Sequence, residues 1–440
     1  MDATKQDGQH DSIVIMVDGT EKTMAENQKR KDWGCLPYIA QVLQASDTKK
    51  LVHAVKFGLA LVLVSLLYML EVVHDKLGNN AMWAVMTVVV LTEYTVGATV
   101  IKGLNRGVGT TLGGGLGCFV AMLAQEIGGI GKAVAIGMSI FILGAAATYM
   151  RLVPNIKKKY DYGVLIFILT LSLVSISGVR GNEIIQVASD RLSSIFMGFA
   201  ITAFTSLFIF PLWAGDELHS SLASQFDSIA QSIEDFLDDH IVQANGKKGT
   251  DEARKLSTCF SVLTSKSTHE SLANFARWEP WHGRFGFQYP WNKYLEIARL
   301  LQELAANIIT AEGFMKTKLE VCHTSTKELC KGASSLLAGA MRELGGSILH
   351  MKQFQQQDIA GEAFQEMRAE LSAYIQVHSS ATTINHSGAV DNGMKCSAGH
   401  SMFLLISMVE ILDRVQDLVI GVKELGVSAG FVDPMPHEKS

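Results

Sequence analysis

Six long apolar stretches dominate the first half of the chain, between Val52 and Trp213. They cover residues 55–70, 81–101, 107–125, 132–150, 162–179 and 192–213. A helix needs roughly 20 apolar residues to cross the hydrocarbon core of a bilayer, and these stretches approach that length. Most charges of this region stand at the ends of the stretches, and most of them are basic. The pattern predicts an integral membrane protein with six spanning helices.

The second half of the chain has a different pattern. From Asp216 onward, acidic residues, Gln and Ser mix with apolar residues at helical spacing, which is typical of water-soluble helices. We predict helices over 216–241, 252–265, 292–316, 334–355, 361–378 and 402–425. The aromatic segment 275–291 contains two prolines and is expected to be a packed loop, and the polar stretch 379–399 is expected to be a mobile one.

The predicted fold class is therefore an all-α membrane protein in which six transmembrane helices precede a cytosolic helical domain. Its parts are a polar cytosolic segment 1–50, a transmembrane domain 51–214 and a helical domain 215–440. Composition agrees, because 48% of the residues are hydrophobic and 18% are still charged. The net charge of −5 is too small to indicate a nucleic acid as partner. The six cysteines show no CxxC spacing, so no disulfide framework, metal site or cofactor is predicted.

Basic residues in the short connections set the expected orientation, because Lys and Arg concentrate on the cytosolic side. No cleavable signal peptide is expected, since the residues before the first stretch are polar. With a cytosolic N-terminus, the inside connections hold Lys49, Lys50, Lys56, Lys102, Arg106, Arg151, Lys157, Lys158 and Lys159, and the outside connections hold Lys76, Lys132, Arg180 and Arg191. Six crossings then return the chain to the cytosol, so the whole second half is expected inside.

The segment from Val96 to Gly117 is rich in glycine. Gly109, Gly113 and Gly117 recur every four residues on one helical face, which favours close packing against another helix. A phosphate-binding loop is disfavoured, because no Gly-Lys-Ser/Thr sequence follows the glycines. Lys102 and Arg106 stand four residues apart at the predicted junction of the second and third spans, so they point the same way.

Arg106 and Arg191 admit two interpretations. On the predicted topology Arg106 lies at the inner side and Arg191 at the outer side, so two rings of positive charge would bracket an anion path in an oligomer. Alternatively, both side chains extend to lipid phosphates, as basic side chains at helix ends often do. For Lys157, Lys158 and Lys159 we favour a role in topology, with Arg151 beside them at the cytosolic mouth.

Further residues of the spans are candidates for the path. Glu93 lies in the predicted second span, where a lone carboxylate is costly, so it is expected to pair with Lys56 or Lys102. Trp83 and Met86 are candidates for an apolar constriction, although such a stripe more often serves packing. Hydroxyls such as that of Thr110 would supply weaker contacts to an anion, and Lys56 is a further gate candidate.

Five short sequences, in this order, carry a family resemblance: NAMWAVMTVVV at 80–90, KGLNRG at 102–107, YDYG at 160–163, PLWAG at 211–215 and WEP at 278–280. Together they closely resemble the plant aluminium-activated malate transporters, a family of anion channels. The resemblance implies homodimers with six spans per subunit and one pore at the two-fold axis, lined by Arg106 and Arg191. It implies passage of malate, chloride, nitrate or sulfate through a membrane of lipid, without a cofactor.

The resemblance also links aluminium activation in some members to outer acidic residues, for which Asp75 and Glu183 are available here. Gln186 stands where a further acid is expected, so aluminium activation is not predicted. Trp278, Glu279 and Pro280 are expected to fix their loop against neighbouring helices. An enzyme is disfavoured, since no catalytic constellation stands out, whereas a carrier with alternating access and a scaffold protein are the other classes. The plasma membrane is the expected location, with the vacuolar membrane as the alternative.

Overall fold

The structure is a computed structural model, and it describes residues 48–70, 81–180, 184–242, 252–286, 289–316, 324–354, 357–384 and 392–432. Every regular element of secondary structure within these ranges is an α-helix, and the described residues contain no β-strand. This confirms the predicted all-α class.

Six helices form the apolar half and seven form the C-terminal half of the described chain. The first six are α1 (Thr48–Met69), α2 (Ala81–Leu91), α3 (Val96–Ile127), α4 (Gly129–Leu152), α5 (Pro154–Arg180) and α6 (Ile184–Phe208). The others are α7 (Ala214–Val242), α8 (Glu252–Thr264), α9 (Lys266–Ala276), α10 (Trp291–Lys316), α11 (Thr324–His350), α12 (Gln357–Ile384) and α13 (Asn392–Ala429).

Five of the described helices, α1, α3, α4, α5 and α6, are long and apolar enough to cross a membrane. The second predicted span, 81–101, is not one continuous helix, because α2 ends at Leu91 after 11 residues. The predicted bounds of the second and third spans, 81–101 and 107–125, are therefore wrong. The apolar residues 96–101 belong to α3, which runs without a break past Lys102 and Arg106.

Residues 92–95 separate α2 from α3 because their polar groups bond locally. The Thr95 side chain caps α3 by accepting from the Ala98 N–H at 3.4 Å. Glu93 lies in this connection rather than within a span, and its carboxylate forms an ion pair with Lys102. The predicted pairing of Glu93 with a neighbouring cation is confirmed.

The glycine stripe of α3 packs directly against the backbone of α5. A Cβ atom placed on Gly109 would lie 2.4 Å from the Gly163 carbonyl oxygen, and one on Gly113 would lie 2.6 Å from that of Phe167. At Gly117 the nearest backbone atom would be 3.2 Å away. The predicted helix-packing role of these glycines is confirmed.

Gly113→Ala is expected to destabilise the protein by about 1–3 kcal/mol, because the backbone of α5 must move to admit the methyl group. Gly115→Ala is the matched control, since nothing lies within 4 Å of a Cβ atom there. Thermal unfolding of the purified protein in detergent measures both changes. Equal unfolding midpoints for the two variants would contradict the packing role.

The C-terminal helices share one hydrophobic core. Leu218 and Phe226 of α7, Leu301 of α10, Leu337 of α11 and Leu412 of α13 are fully or almost fully buried in it. The predicted amphipathic helices are present, although α11 begins ten residues earlier than predicted and α9 was not predicted as a separate helix. The described residues between Ala276 and Trp291 are not helical, as predicted.

The predicted loop 379–399 is shorter in the structure. Helix α12 continues to Ile384 and α13 begins at Asn392, so both ends of the predicted loop are helical. The residues between them lie outside the described residues, as does almost all of the predicted polar segment 1–50.

A buried histidine joins three helices of this core. Nδ1 of His219 lies 2.8 Å from the Tyr294 hydroxyl, and Nε2 lies 3.3 Å from the Leu349 carbonyl oxygen. The Tyr294 hydroxyl also lies 3.1 Å from that of Tyr289. A neutral imidazole satisfies every one of these contacts, and burial lowers the pKa of His219.

The stability of the folded protein is therefore expected to fall as the pH drops below about 6.5. In that range the unfolded chain binds a proton at His219 that the folded chain does not bind. Unfolding midpoints at about pH 7.5 and about pH 5.5 test this, and His219→Gln should reduce the difference. His219→Gln should remove only part of the pH dependence, because burial also lowers the pKa of His269 and that residue contributes in the same pH range. The exposed His350 is the control: a His350→Gln variant that lost the same part of the pH dependence would contradict the assignment.

Candidate functional site

Lys102 and Arg106 lie one turn apart inside α3, and not at a helix end as predicted. A rise of about 1.5 Å per residue from Val96 places Arg106 about 15 Å into the helix. The Asn105 side-chain amide donates to the Lys159 carbonyl oxygen at 3.1 Å. This bond places the first turns of α5 beside the Lys102–Arg106 turn of α3.

Arg106 is buried although it is a cation, with 5% of its surface exposed. Its Nη1 donates to the Tyr162 hydroxyl on α5 at 2.9 Å. Its Nε is buried and has no hydrogen-bond partner among the described residues. A guanidinium group carries five N–H donors, so most of the donor capacity of Arg106 is unused.

Arg191 on α6 is buried to the same degree, with 6% of its surface exposed. Its guanidinium carbon lies 3.9 Å from the centre of the Trp83 ring, which is a close cation–π contact. Its Nε is also buried without a hydrogen-bond partner among the described residues. Trp83 was predicted as part of an apolar constriction, and in the structure its ring supports this cation.

Arg106 on α3 and Arg191 on α6 lie on two helices that pack together, and these two residues are called the guanidinium pair below. They are near enough for their positive charges to repel each other. The predicted arrangement of two rings of positive charge along a path in an oligomer stays a prediction. The early start of α3 carries Arg106 into the helix packing, on a helix that contacts α6.

Neither guanidinium group has a carboxylate partner among the described residues. Other cations in the apolar half do: Lys102 pairs with Glu93, and Arg151 makes two bonds of 2.8 and 2.9 Å to Asp161. Leaving a buried cation unpaired costs several kcal/mol, so a bound anion would stabilise this arrangement.

Thr110 adds a polar group next to the guanidinium pair. It lies one turn beyond Arg106 on α3, its residue is buried, and its Oγ1 has no hydrogen-bond partner among the described residues. The O–H group of Thr110 is therefore available as a donor, and its contact with an anion stays a prediction.

The remaining gate candidates lie elsewhere. Lys56 is buried and its Nζ lies 3.4 Å from the Phe210 carbonyl oxygen, just beyond the end of α6. Phe210 has a φ of 46°, which is unusual for a residue with a side chain. Lys56 thus holds the connection from α6 to α7. Met86 is half exposed on α2 and does not join the guanidinium pair.

The basic residues predicted at the cytosolic mouth have different surroundings. Arg151 is engaged by Asp161, whereas Lys157 and Lys159 are exposed at the start of α5, which also contains Lys158. The outer acidic candidates Asp75 and Glu183 lie outside the described residues. No cluster of metal-ligating side chains occurs among the residues that the structure describes.

Glu279 connects the apolar half to the C-terminal helices. Its carboxylate accepts from the backbone N–H groups of Ala214 at 2.6 Å, Gly215 at 3.1 Å and Gly97 at 3.3 Å. These groups belong to the first turns of α7 and α3, so one carboxylate caps two helices. Burial raises the pKa of Glu279, and the three N–H donors oppose that shift.

The neighbours of Glu279 show how tightly this junction packs. A Cβ atom on Gly97 would lie 2.2 Å from the Phe275 carbonyl oxygen, so α3 begins in direct contact with the chain just before Glu279. The His282 ring stacks on Trp213, with ring centres 3.7 Å apart. Trp278 is nearly half exposed.

Sequence reasoning missed the role of Tyr162 and the double capping by Glu279. Tyr162 belongs to the YDYG sequence, but no periodicity shows that its hydroxyl meets Arg106 on another helix. Glu279 lies more than 60 residues from each helix end that it caps, so no local capping pattern reveals it.

The fold and the site together define a class: an α-helical membrane protein with two buried arginines, Arg106 and Arg191, among its apolar helices, neither of which has a carboxylate partner in the part of the chain that the structure describes. The chain matches the family described as aluminium activated malate transporter over residues 41–401, and it belongs to that family. The resemblance seen in its short sequences is thereby confirmed.

Three relatives show the extent of the similarity. The chain is 37% identical to aluminum-activated malate transporter 2 of Arabidopsis thaliana over 90% of this chain and 78% of that protein. It is 40% identical to aluminum-activated malate transporter 12 of the same plant, over 69% of this chain and 54% of that protein. Identity to aluminum-activated malate transporter 1 of Triticum aestivum is 33%, over 88% and 84% of the two chains.

Proposed function

We propose that the protein is an anion channel that conducts malate and small inorganic anions, namely chloride, nitrate and sulfate. The observation that carries the proposal is the buried guanidinium pair, whose members lack a carboxylate partner among the described residues. The names of its relatives, which are malate transporters, support the choice of malate.

The chemistry of the guanidinium pair suits a dicarboxylate. An anion loses water when it enters a narrow path, and forked N–H donors replace part of that hydration. Two close positive charges match the two negative charges of malate. Because Lys102 is neutralised by Glu93, it does not add a third charge that would hold the anion too strongly.

We propose that the conducting unit is a homodimer with the path at its two-fold axis. An exposed apolar stripe on α2, formed by Met82, Met86 and Val89, supports this arrangement. The stripe adjoins Trp83, which carries Arg191, so a second copy facing it would close the path with an apolar constriction. The path would thus contain one apolar zone and one positively charged zone.

We also propose a plasma-membrane location with both termini in the cytosol and with lipid around the apolar helices. The bias of Lys and Arg toward one set of connections supports this orientation. The vacuolar membrane is the alternative, and microscopy of a fluorescent fusion in plant cells distinguishes the two. No enzymatic step is part of the proposal.

Voltage-clamp recording from oocytes that express the protein tests the proposed activity. A channel gives currents that reverse at the equilibrium potential of the permeant anion, with malate or chloride as the main anion. A carrier would instead give saturable flux with a fixed coupling ratio. Absence of anion current at every voltage, pH and external malate concentration tried, with the protein at the cell surface, would overturn the proposal.

A further inference from the structure

We infer that Tyr162 is a positioning residue that orients Arg106 toward the anion and sets the preference for a dicarboxylate over chloride. The inference rests on the proposed function, because it concerns the anion bound at the guanidinium pair. Tyr162 lies on α5 and is one of four residues in the YDYG sequence.

The position of Tyr162 is fixed by backbone packing. Its neighbour Gly163 lies against Gly109 of α3, where a Cβ atom on Gly109 would be 2.4 Å from the Gly163 carbonyl oxygen. At such a close approach α5 cannot slide or rotate without a clash with α3. The Tyr162 side chain therefore projects from a rigid point beside the Lys102–Arg106 turn.

The Tyr162 side chain interacts with two cations, Arg106 and Lys102. The Tyr162 hydroxyl accepts from Arg106 Nη1 at 2.9 Å, and Lys102 Nζ lies 5.4 Å from the centre of the Tyr162 ring. Lys102 is also paired with Glu93. Lys102 is thus held on two sides, which leaves the guanidinium groups as the cations available to an anion.

The hydrogen bond to Tyr162 orients the plane of the Arg106 guanidinium group. With Nη1 held, rotation of the buried guanidinium group is restricted, and the direction of its Nε is restricted with it. The Tyr162 hydroxyl accepts from Arg106, and its own proton has no acceptor among the described residues. That proton is free to donate to the same anion as Arg106.

A guanidinium group that is held in one orientation favours anions whose binding depends on orientation. A carboxylate gains its two parallel hydrogen bonds only if the guanidinium plane is already in place, whereas chloride is spherical and binds in any orientation. Loss of the Tyr162 hydroxyl is thus expected to weaken malate binding more than chloride binding.

The test compares Tyr162→Phe with Tyr160→Phe in voltage-clamped oocytes at equal surface expression. Tyr160 belongs to the same YDYG sequence but is 54% exposed, so it is the matched control. Tyr162→Phe keeps the ring beside Lys102 and removes the hydroxyl. We expect it to lower the malate-to-chloride permeability ratio about tenfold, the effect of one hydrogen bond to a charged group, while Tyr160→Phe leaves the ratio unchanged.

A second measurement does not depend on delivery to the cell surface. Malate added to the purified wild-type protein should raise its unfolding temperature, and Tyr162→Phe should need about ten times more malate for the same rise. An unchanged permeability ratio or an unchanged malate requirement in Tyr162→Phe overturns the inference. If the wild type conducts anions while either result is negative, only the role of Tyr162 fails; if the wild type conducts none, the channel proposal fails.

Discussion

Arg106→Ala is expected to abolish the malate current at unchanged surface expression, and Arg191→Ala is expected to do the same. Each change removes a buried guanidinium group that no carboxylate among the described residues neutralises. Loss of two charge-assisted hydrogen bonds to the anion costs about 3 kcal/mol, which is roughly a hundredfold in affinity.

Two further variants separate charge from geometry. Arg106→Lys keeps the positive charge but loses the forked donors, so it should retain a small malate current with a larger share carried by chloride. Lys157→Ala removes an exposed cation near the start of α5, and its effect should be within about twofold. Wild-type malate current in Arg106→Ala would show that the guanidinium pair does not line the path.

Glu279→Ala is expected to destabilise the protein by about 3–5 kcal/mol and to abolish the current. The change leaves the N–H groups of Gly97, Ala214 and Gly215 without their shared acceptor at two helix starts. Each buried N–H group without a partner costs about 1–3 kcal/mol. Helix α3 carries Arg106, and α7 begins the C-terminal helices. The same change therefore also removes a contact that joins these two helices.

Glu279→Gln is the graded variant, because it keeps one carbonyl acceptor and adds an NH₂ group that faces the backbone donors. Its loss of stability should be smaller than that of Glu279→Ala. Glu296→Ala is the control, since Glu296 forms an exposed ion pair with Lys293 at 3.1 Å, which contributes at most about 1 kcal/mol. Unfolding midpoints in detergent measure all three variants, and a Glu279→Ala protein as stable as Glu296→Ala would refute the capping role.

Much of the fold could be predicted from the sequence, because the residues of each helix repeat in a pattern that is typical of helices. The apolar stretches of α4, α5 and α6 predicted membrane helices, and the four-residue glycine repeat predicted the contact surface of α3. The break between α2 and α3 was missed, because hydropathy is continuous across it apart from Glu93. Its cause is the cap formed by Thr95 and the ion pair from Glu93 to Lys102, which a window of average hydropathy does not register.

The sequence by itself determined which residues carry charge within the apolar half, and so predicted Arg106 and Arg191 as candidates for an anion path. Only the tertiary structure decided that both are buried, that Trp83 and Tyr162 contact them, and that Glu279 caps two helix starts. Helical periodicity reports the face on which a residue lies, whereas these contacts depend on how separate helices are placed in rotation and depth. That placement follows from the packing of the whole chain, and no local pattern records it.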